Sequence, residues 1–253
     1  MDLGLRPILK PSQSVLRCSQ ILRTQVRELA VLPDICDCVG FLTILLPPMR
    51  TAEAPSLLYK VPSIVKVLNL AEMFSTAQPL EVELGSGDGS FLVEYAARHP
   101  ERNFIGVERL LGRIRKMDRK GQRAGLMNLR GVRIESAYFL EYLLPAHSAG
   151  ALHVYFPDPW PKRKHRRHRL IDERFPALAQ MALAPGGRVY FRTDDQNYFE
   201  QMLEVFAANP FFRPVATPDE LAGLRTDFER DFEARGVKTL RAANVVEPVA
   251  GKR

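Results

Sequence analysis

The chain has 253 residues, 46% of them hydrophobic, and a formal charge of +7 from 36 Lys and Arg against 29 Asp and Glu. That length and apolar content sustain a full core and exclude a mainly disordered chain, while the positive balance points to nucleic acid or another anionic surface as partner. The 3 cysteines, Cys18, Cys36 and Cys38, crowd into the first fifth of the sequence without a second ligand cluster, which argues against a disulfide framework or a zinc site.

Residues 1–48 show weak periodicity and end in Pro47-Pro48, immediately before Met49. Met49 is therefore expected to be the true start, with 1–48 an extension or a dispensable arm and 49–253 a single domain. The most apolar run, Val39 to Leu46, is too short to span a bilayer, and no signal pattern precedes it, so a cytoplasmic protein without a membrane segment is expected. From about residue 80 short β-rich runs alternate with helical patterns, as in repeated βα units on a largely parallel sheet. Strands are expected at 80–84, 103–107, 132–135, 151–156 and 188–192, and helices at 90–98, 110–124, 138–144, 169–183 and 195–207. Pro185-Gly186-Gly187 is expected to stop the fourth of these helices. In the tail, 211–215 and 237–242 read as strands around a helix at 227–235, which suits an antiparallel edge. The pattern is an α/β, doubly wound sheet, whose ligands belong at the carboxyl ends of its strands.

Glu81-Val82-Glu83-Leu84-Gly85-Ser86-Gly87-Asp88-Gly89-Ser90 is a strand entering a glycine turn that opens a helix. Its spacing is G-x-G-x-G, and Ser90 stands where a dinucleotide fingerprint would have its third glycine. Glu83 in the first strand and Glu108 after the second suit a cofactor with a cationic amino acid end and a ribose diol. S-adenosylmethionine has both features and no phosphate to be repelled.

Phe156-Pro157-Asp158-Pro159-Trp160-Pro161 runs directly into Lys162-Arg163-Lys164-His165-Arg166-Arg167-His168-Arg169. Phe156, Asp158 and Trp160 each precede a proline, which disfavours the α region and predicts a stiff, extended path that holds Asp158 in place. The basic block lacks acids of its own and fits a polyanion. Trp160 suits either packing beneath the loop or a platform for a base. His165 and His168 have metal-ligand spacing, but their cationic neighbours oppose a divalent ion and no metal is expected. His153, inside a strand, is expected to be a satisfied core residue. Thr226-Asp227-Phe228-Glu229 has the form of a capping box, and Asp194, beside Asp195, can be the N-cap of the helix that follows.

From about Leu80 to Gly236 these residues resemble the bacterial tRNA (guanine-N7)-methyltransferases, through Glu83-Leu84-Gly85, Gly106-Val107-Glu108, the proline loop, Thr193-Asp194 and Thr226 to Glu229. The resemblance implies a class I S-adenosylmethionine-dependent methyltransferase, a Rossmann-like, mostly parallel seven-stranded sheet with an antiparallel edge. It implies cofactor contacts at Glu83, Gly85, Gly87, Glu108 and Ser136, the last where many members have Asn or Asp, and a catalytic Asp158. Substrate contacts are implied at Lys162, Asp194, Thr226, Asp227, Phe228 and Glu229, and RNA contacts at Lys164, His165, Arg166, Arg167, His168 and Arg169. The partner would be tRNA, modified at guanine 46 of the variable loop, and the protein a monomer or homodimer. A methyltransferase of the same fold acting on another RNA or on protein, and a non-catalytic RNA-binding relative, stay open as alternatives.

Overall fold

The computed structural model describes residues 55–247; the expectations for 1–48 and the three cysteines lie outside them. One sheet contains β1 (Leu58–Tyr59), β2 (Leu80–Leu84), β3 (Asn103–Val107), β4 (Leu129–Val132), β5 (Ala149–Tyr155), β6 (Leu183–Thr193), β7 (Phe212–Val215) and β8 (Leu240–Val246), in the order β1-β4-β3-β2-β5-β6-β8-β7. Every pair from β1 to β6 is parallel, and β8 joins β6 and β7 antiparallel. The doubly wound order and antiparallel edge agree with the expectation. The eighth strand is β1, a two-residue edge too short to leave a periodic signal.

Strand order reverses at β2, which lies between β3 and β5, so the crevice for a ligand opens beyond its carboxyl end. Central strands are covered on both faces and read as buried runs; β2 and β3 are buried at every position. Val82 and Leu84 join the larger apolar layer with Ile105, Leu152, Val154 and Phe191. The opposite layer holds Phe91, Tyr95, Phe104, Tyr155 and Tyr190. There β2 contributes Glu81 and Glu83 instead of apolar side chains, a departure from core composition that marks this face as special. His153 is fully buried and hydrogen-bonded to Glu81 Oε2 at 2.7 Å and to the Tyr155 hydroxyl at 2.9 Å, the satisfied core histidine expected.

Several boundaries differ from the reading of the sequence, each for a tertiary reason. Pairing of Phe104 with Leu129 pulls the fourth strand three residues earlier than Val132. The helix expected from Arg169 starts at Phe175, because Arg163–His168 forms a separate 3-10 turn after Pro161. Leu183 already pairs with Ala149, and the register slips before Arg188 pairs with Ala151, so Pro185-Gly186-Gly187 forms a bulge within β6.

Candidate active site

At the carboxyl ends of β2, β3 and β5 lies a cleft of about 560 Å³, lined on one wall by Gly85, Glu108 and Ser136 and on the other by Asp158, Trp160 and His168. A cleft of this size is in the range of small-molecule sites. Gly85 and Gly87 have φ of +79° and +57°, and a Cβ at either would meet nothing within 4 Å, so the turn presents bare backbone to open space. Gly89 is required for another reason: besides its φ of +76°, a Cβ there would lie 2.3 Å from Met117 Cγ.

Glu108 is fixed by two backbone donors, Leu110 N–H to Oε1 at 2.7 Å and Gly87 N–H to Oε2 at 3.1 Å, which leaves lone pairs directed at the cleft. Glu83 lies beneath the turn. Its Oε2 is buried without a hydrogen-bond partner, as is Ser86 Oγ. Burial, opposed by the charge of Arg192 and reinforced by Asp88 and Glu108, holds the Glu83 carboxyl well above the usual range. An orphaned carboxylate of this kind fits a ligand that brings its own cation and donors, such as the ammonium of an amino acid.

The sign of the linkage gives a test. Because its folded pKa is raised, the native state holds Glu83's proton at pH values where the unfolded chain has released it, and stability falls as pH rises through that window. Glu83→Gln should therefore raise the melting temperature of the ligand-free protein at neutral pH. It should also weaken S-adenosylmethionine roughly 10- to 100-fold and flatten the rise of its affinity with pH; calorimetric titration and thermal melts at several pH values measure both effects. Unchanged cofactor affinity would separate Glu83 from the ligand.

The proline loop follows β5. Asp158 is exposed on the cleft wall, but the loop is not uniformly extended: Phe156 and Trp160 have φ of +51° and +42°. Left-handed backbone at two bulky pre-proline residues is strained and persists only where surroundings over-determine it. Phe156 is held by its N–H to the Arg192 carbonyl at 2.8 Å and by Phe228 and Phe232, at ring separations of 6.1 and 5.5 Å. Trp160 lines the cleft and packs against His168 and His165, at 5.3 and 5.9 Å.

Arg169 corrects the expectation of an RNA contact. It is buried, donates from Nε to the Pro159 carbonyl at 2.7 Å and to Gln201 and Asn197, and stacks over Tyr198. The side chain anchors the loop from below, while Lys162, Lys164, Arg166, Arg167 and His168 are exposed and His165 is half-buried. Arg169→Ala should lower kcat by up to about 10²-fold through loop displacement while leaving the salt dependence of RNA binding unchanged. A reduced salt slope would return Arg169 to the contact set.

Asp195, not Asp194, caps the helix Gln196–Ala207 by accepting from Tyr198 N–H at 2.7 Å, which leaves Asp194 exposed at the end of β6. Thr226 to Glu229 form the expected capping box on the helix Asp227–Ala234. Asp227 and Phe228 are exposed, and the box abuts the glycine turn through Asp227 N–H to Ser90 Oγ at 3.3 Å. Glu229 is a second correction. It is fully buried and both its oxygens are taken by Arg192, Arg241 and Thr226 N–H, so it supports the box without reaching a substrate. The cleft gathers Gly85, Glu108, Ser136, Asp158 and His168; Glu83, Gly87, Lys162, Asp194 and the Thr226 box stand outside its lining, Glu83 buried in β2 behind it. Arg109, Arg113 and Glu135 also line it; Arg109 and Glu135 follow strands and Arg113 lies in the first turn of the helix Leu111–Arg123, and none of them carried a further signal in the sequence.

Over residues 77–242 the chain matches the family model described as "Putative methyltransferase". It is 37% identical over 171 residues to the tRNA (guanine-N(7)-)-methyltransferase of Chromohalobacter salexigens, a match covering 66% of this chain and 70% of that protein. With the protein of the same name from Bordetella pertussis it is 35% identical over 182 residues, 71% of this chain and 70% of the other. Among solved structures, the 16S rRNA methyltransferase KamB aligns with a TM-score of 0.52 at 18% identity, over 71% of this chain and 93% of that one, a likeness of fold. Since the matched span takes in both the glycine turn and the proline loop, the chain belongs to the tRNA (guanine-N7)-methyltransferase family.

Proposed function

We propose that the protein transfers a methyl group from S-adenosylmethionine to N7 of a guanine in tRNA, guanine 46 of the variable loop. One observation carries this reading: one cleft is lined both by Glu108 and the bare turn at Gly85, next to the strand that holds the orphan carboxyl of Glu83, and by Asp158 of a strained loop that runs on into exposed cations. When bound, S-adenosylmethionine supplies an electrophilic methyl on a sulfonium. Glu83 would hold its ammonium, Glu108 its ribose hydroxyls, and Ser136 its adenine side.

Guanine N7 has a lone pair and no proton, so the reaction requires no base. Alignment and charge do the work. Asp158 accepts hydrogen bonds from the N1 and N2 edge of the guanine, which orients N7 and favours the positive charge that develops on the ring. Lys162, Asp194, Asp227 and Phe228 border the substrate, and Lys164, Arg166, Arg167 and the two histidines hold the phosphates that deliver it. No helix among the described residues is long and apolar enough to cross a membrane.

The test is incubation of labelled S-adenosylmethionine with unmodified tRNA transcripts and, in parallel, with ribosomal RNA and with protein, followed by strand scission of the tRNA at N7-methylguanine. A single break in the variable loop is expected. Label confined to ribosomal RNA or to protein would replace this reading with another acceptor, and absence of transfer would leave a binding protein.

A further inference from the structure

The helix Leu111–Arg123 has a surface that the proposed chemistry does not use. Arg113, Arg115, Lys116, Arg119 and Arg123 are all exposed on it, and exposed Arg109 precedes it. Its one acid is turned inward: Asp118 accepts from Leu57 N–H at 2.7 Å, Ser56 Oγ at 3.0 Å and Gln122 Nε2 at 2.7 Å, and so neutralises nothing outside. Lys120 is spent on Asp88 and Asp227, at 2.8 and 3.7 Å. The exposed bases have no ion-pair partner among the described residues. Arg115, Arg119 and Arg123 stand at i, i+4 and i+8, where like charges destabilise a helix. Docking of Ile114, Met117 and Gly121 into the core offsets that repulsion, and a polyanion would relieve it.

Position decides what the polyanion is. Arg109, Leu110 and Arg113, at the start of this helix, line the same cleft as Asp158, Trp160 and His168. The cleft is thus flanked by two basic surfaces, the loop on one wall and the helix on the other. A helix of this length runs about 20 Å, enough to follow several phosphates of a folded nucleic acid. A lipid surface is disfavoured, because the apolar side chains of the helix are consumed by the core.

We propose that Arg109 and the exposed face of Leu111–Arg123 form a second backbone contact for tRNA, gripping it on the side of the cleft opposite the loop. The proposal rests on tRNA being the substrate. The test uses the full chain and a fluorescent unmodified tRNA transcript, with Kd measured across a salt series. R115A/R119A/R123A should weaken binding at least about tenfold at physiological salt and reduce the slope of log K against log salt by about 2, from about 0.7 to 0.9 per lost phosphate contact. The loss should appear in the KM for tRNA, and the S-adenosylmethionine Kd, read by calorimetry, should stay at the parent value. Combined with K164A/R166A/R167A in the loop, the slope losses should add. A parental slope in the helix variant, or a combined variant that loses no more than the loop variant alone, overturns the proposal. Failure of the tRNA reading would look different: the parent protein would transfer no methyl to guanine N7, whatever the helix variant does.

Discussion

Asp158→Asn is expected to lower kcat for tRNA methylation by about 10²- to 10³-fold, the loss typical of removing one preorganised electrostatic contact, with S-adenosylmethionine affinity retained. Much of the local structure is committed to holding that one carboxylate. Two neighbours, Phe156 and Trp160, adopt left-handed φ, and the carbonyl between Asp158 and Trp160 is held by buried Arg169. A loop so restrained loses little entropy when a base docks. In the proposed pose the carboxylate would accept from two donors on the guanine edge and its charge would favour the cation formed at N7; an amide offers one acceptor, one misplaced donor and no charge. Single-turnover methylation with saturating cofactor measures the step directly. If the Asn variant turns over at the parental rate, Asp158 has no part in the chemistry.

Residues whose place is set by their own strand were the ones readable in advance. Glu83 lies near the end of β2, and Gly85, Glu108 and Asp158 follow β2, β3 and β5; the chain's alternation fixes both the strand and its carboxyl end. Side chains whose role depends on distant partners were not readable. Arg169 sits in a run of cations and reads as one more of them until Gln201, Asn197 and Tyr198, from a later helix, close over it. Glu229 completes a capping box either way; only its pairing with Arg192 of β6 and Arg241 of β8 takes it out of solvent. The same limit hid the basic face of Leu111–Arg123. Periodicity reveals a helix there, but not that Asp118 is occupied by Ser56 and Leu57 and leaves the cations uncompensated. The extended path expected for the proline loop failed at Phe156 and Trp160 because packing against Phe228, Phe232 and the histidines outweighs a local backbone preference.

Glu229→Ala is expected to cost about 3 to 5 kcal/mol of stability, the range for stranding one member of a buried ion pair. For a chain of this size that corresponds to a fall in melting temperature of roughly 6 to 20 °C. Arg192 and Glu229 are 1% and 0% exposed, and the pair closes at 2.7 Å. Arg192 also donates to the carbonyls of Leu221 and Leu224 and lies over the Tyr155 ring, so one guanidinium ties the segment Leu221–Glu229 to the central sheet beside the cleft. Removing the acid leaves that cation with neutral partners alone and frees Arg241 and the Thr226 N–H as well. Glu229→Gln, which keeps the shape and one acceptor, should fall between the parent and the Ala variant. Arg192→Met combined with Glu229→Leu should recover part of the loss, since no buried charge is then stranded, but not all of it, because the two carbonyls lose their donor. Thermal melts of the four proteins test the order. Melting of the Ala variant within about 2 °C of the parent, a shift worth no more than about 1 kcal/mol, would mean that the pair holds nothing. Phe228, which packs on Phe156, would then have to be positioned by its own helix rather than by β6.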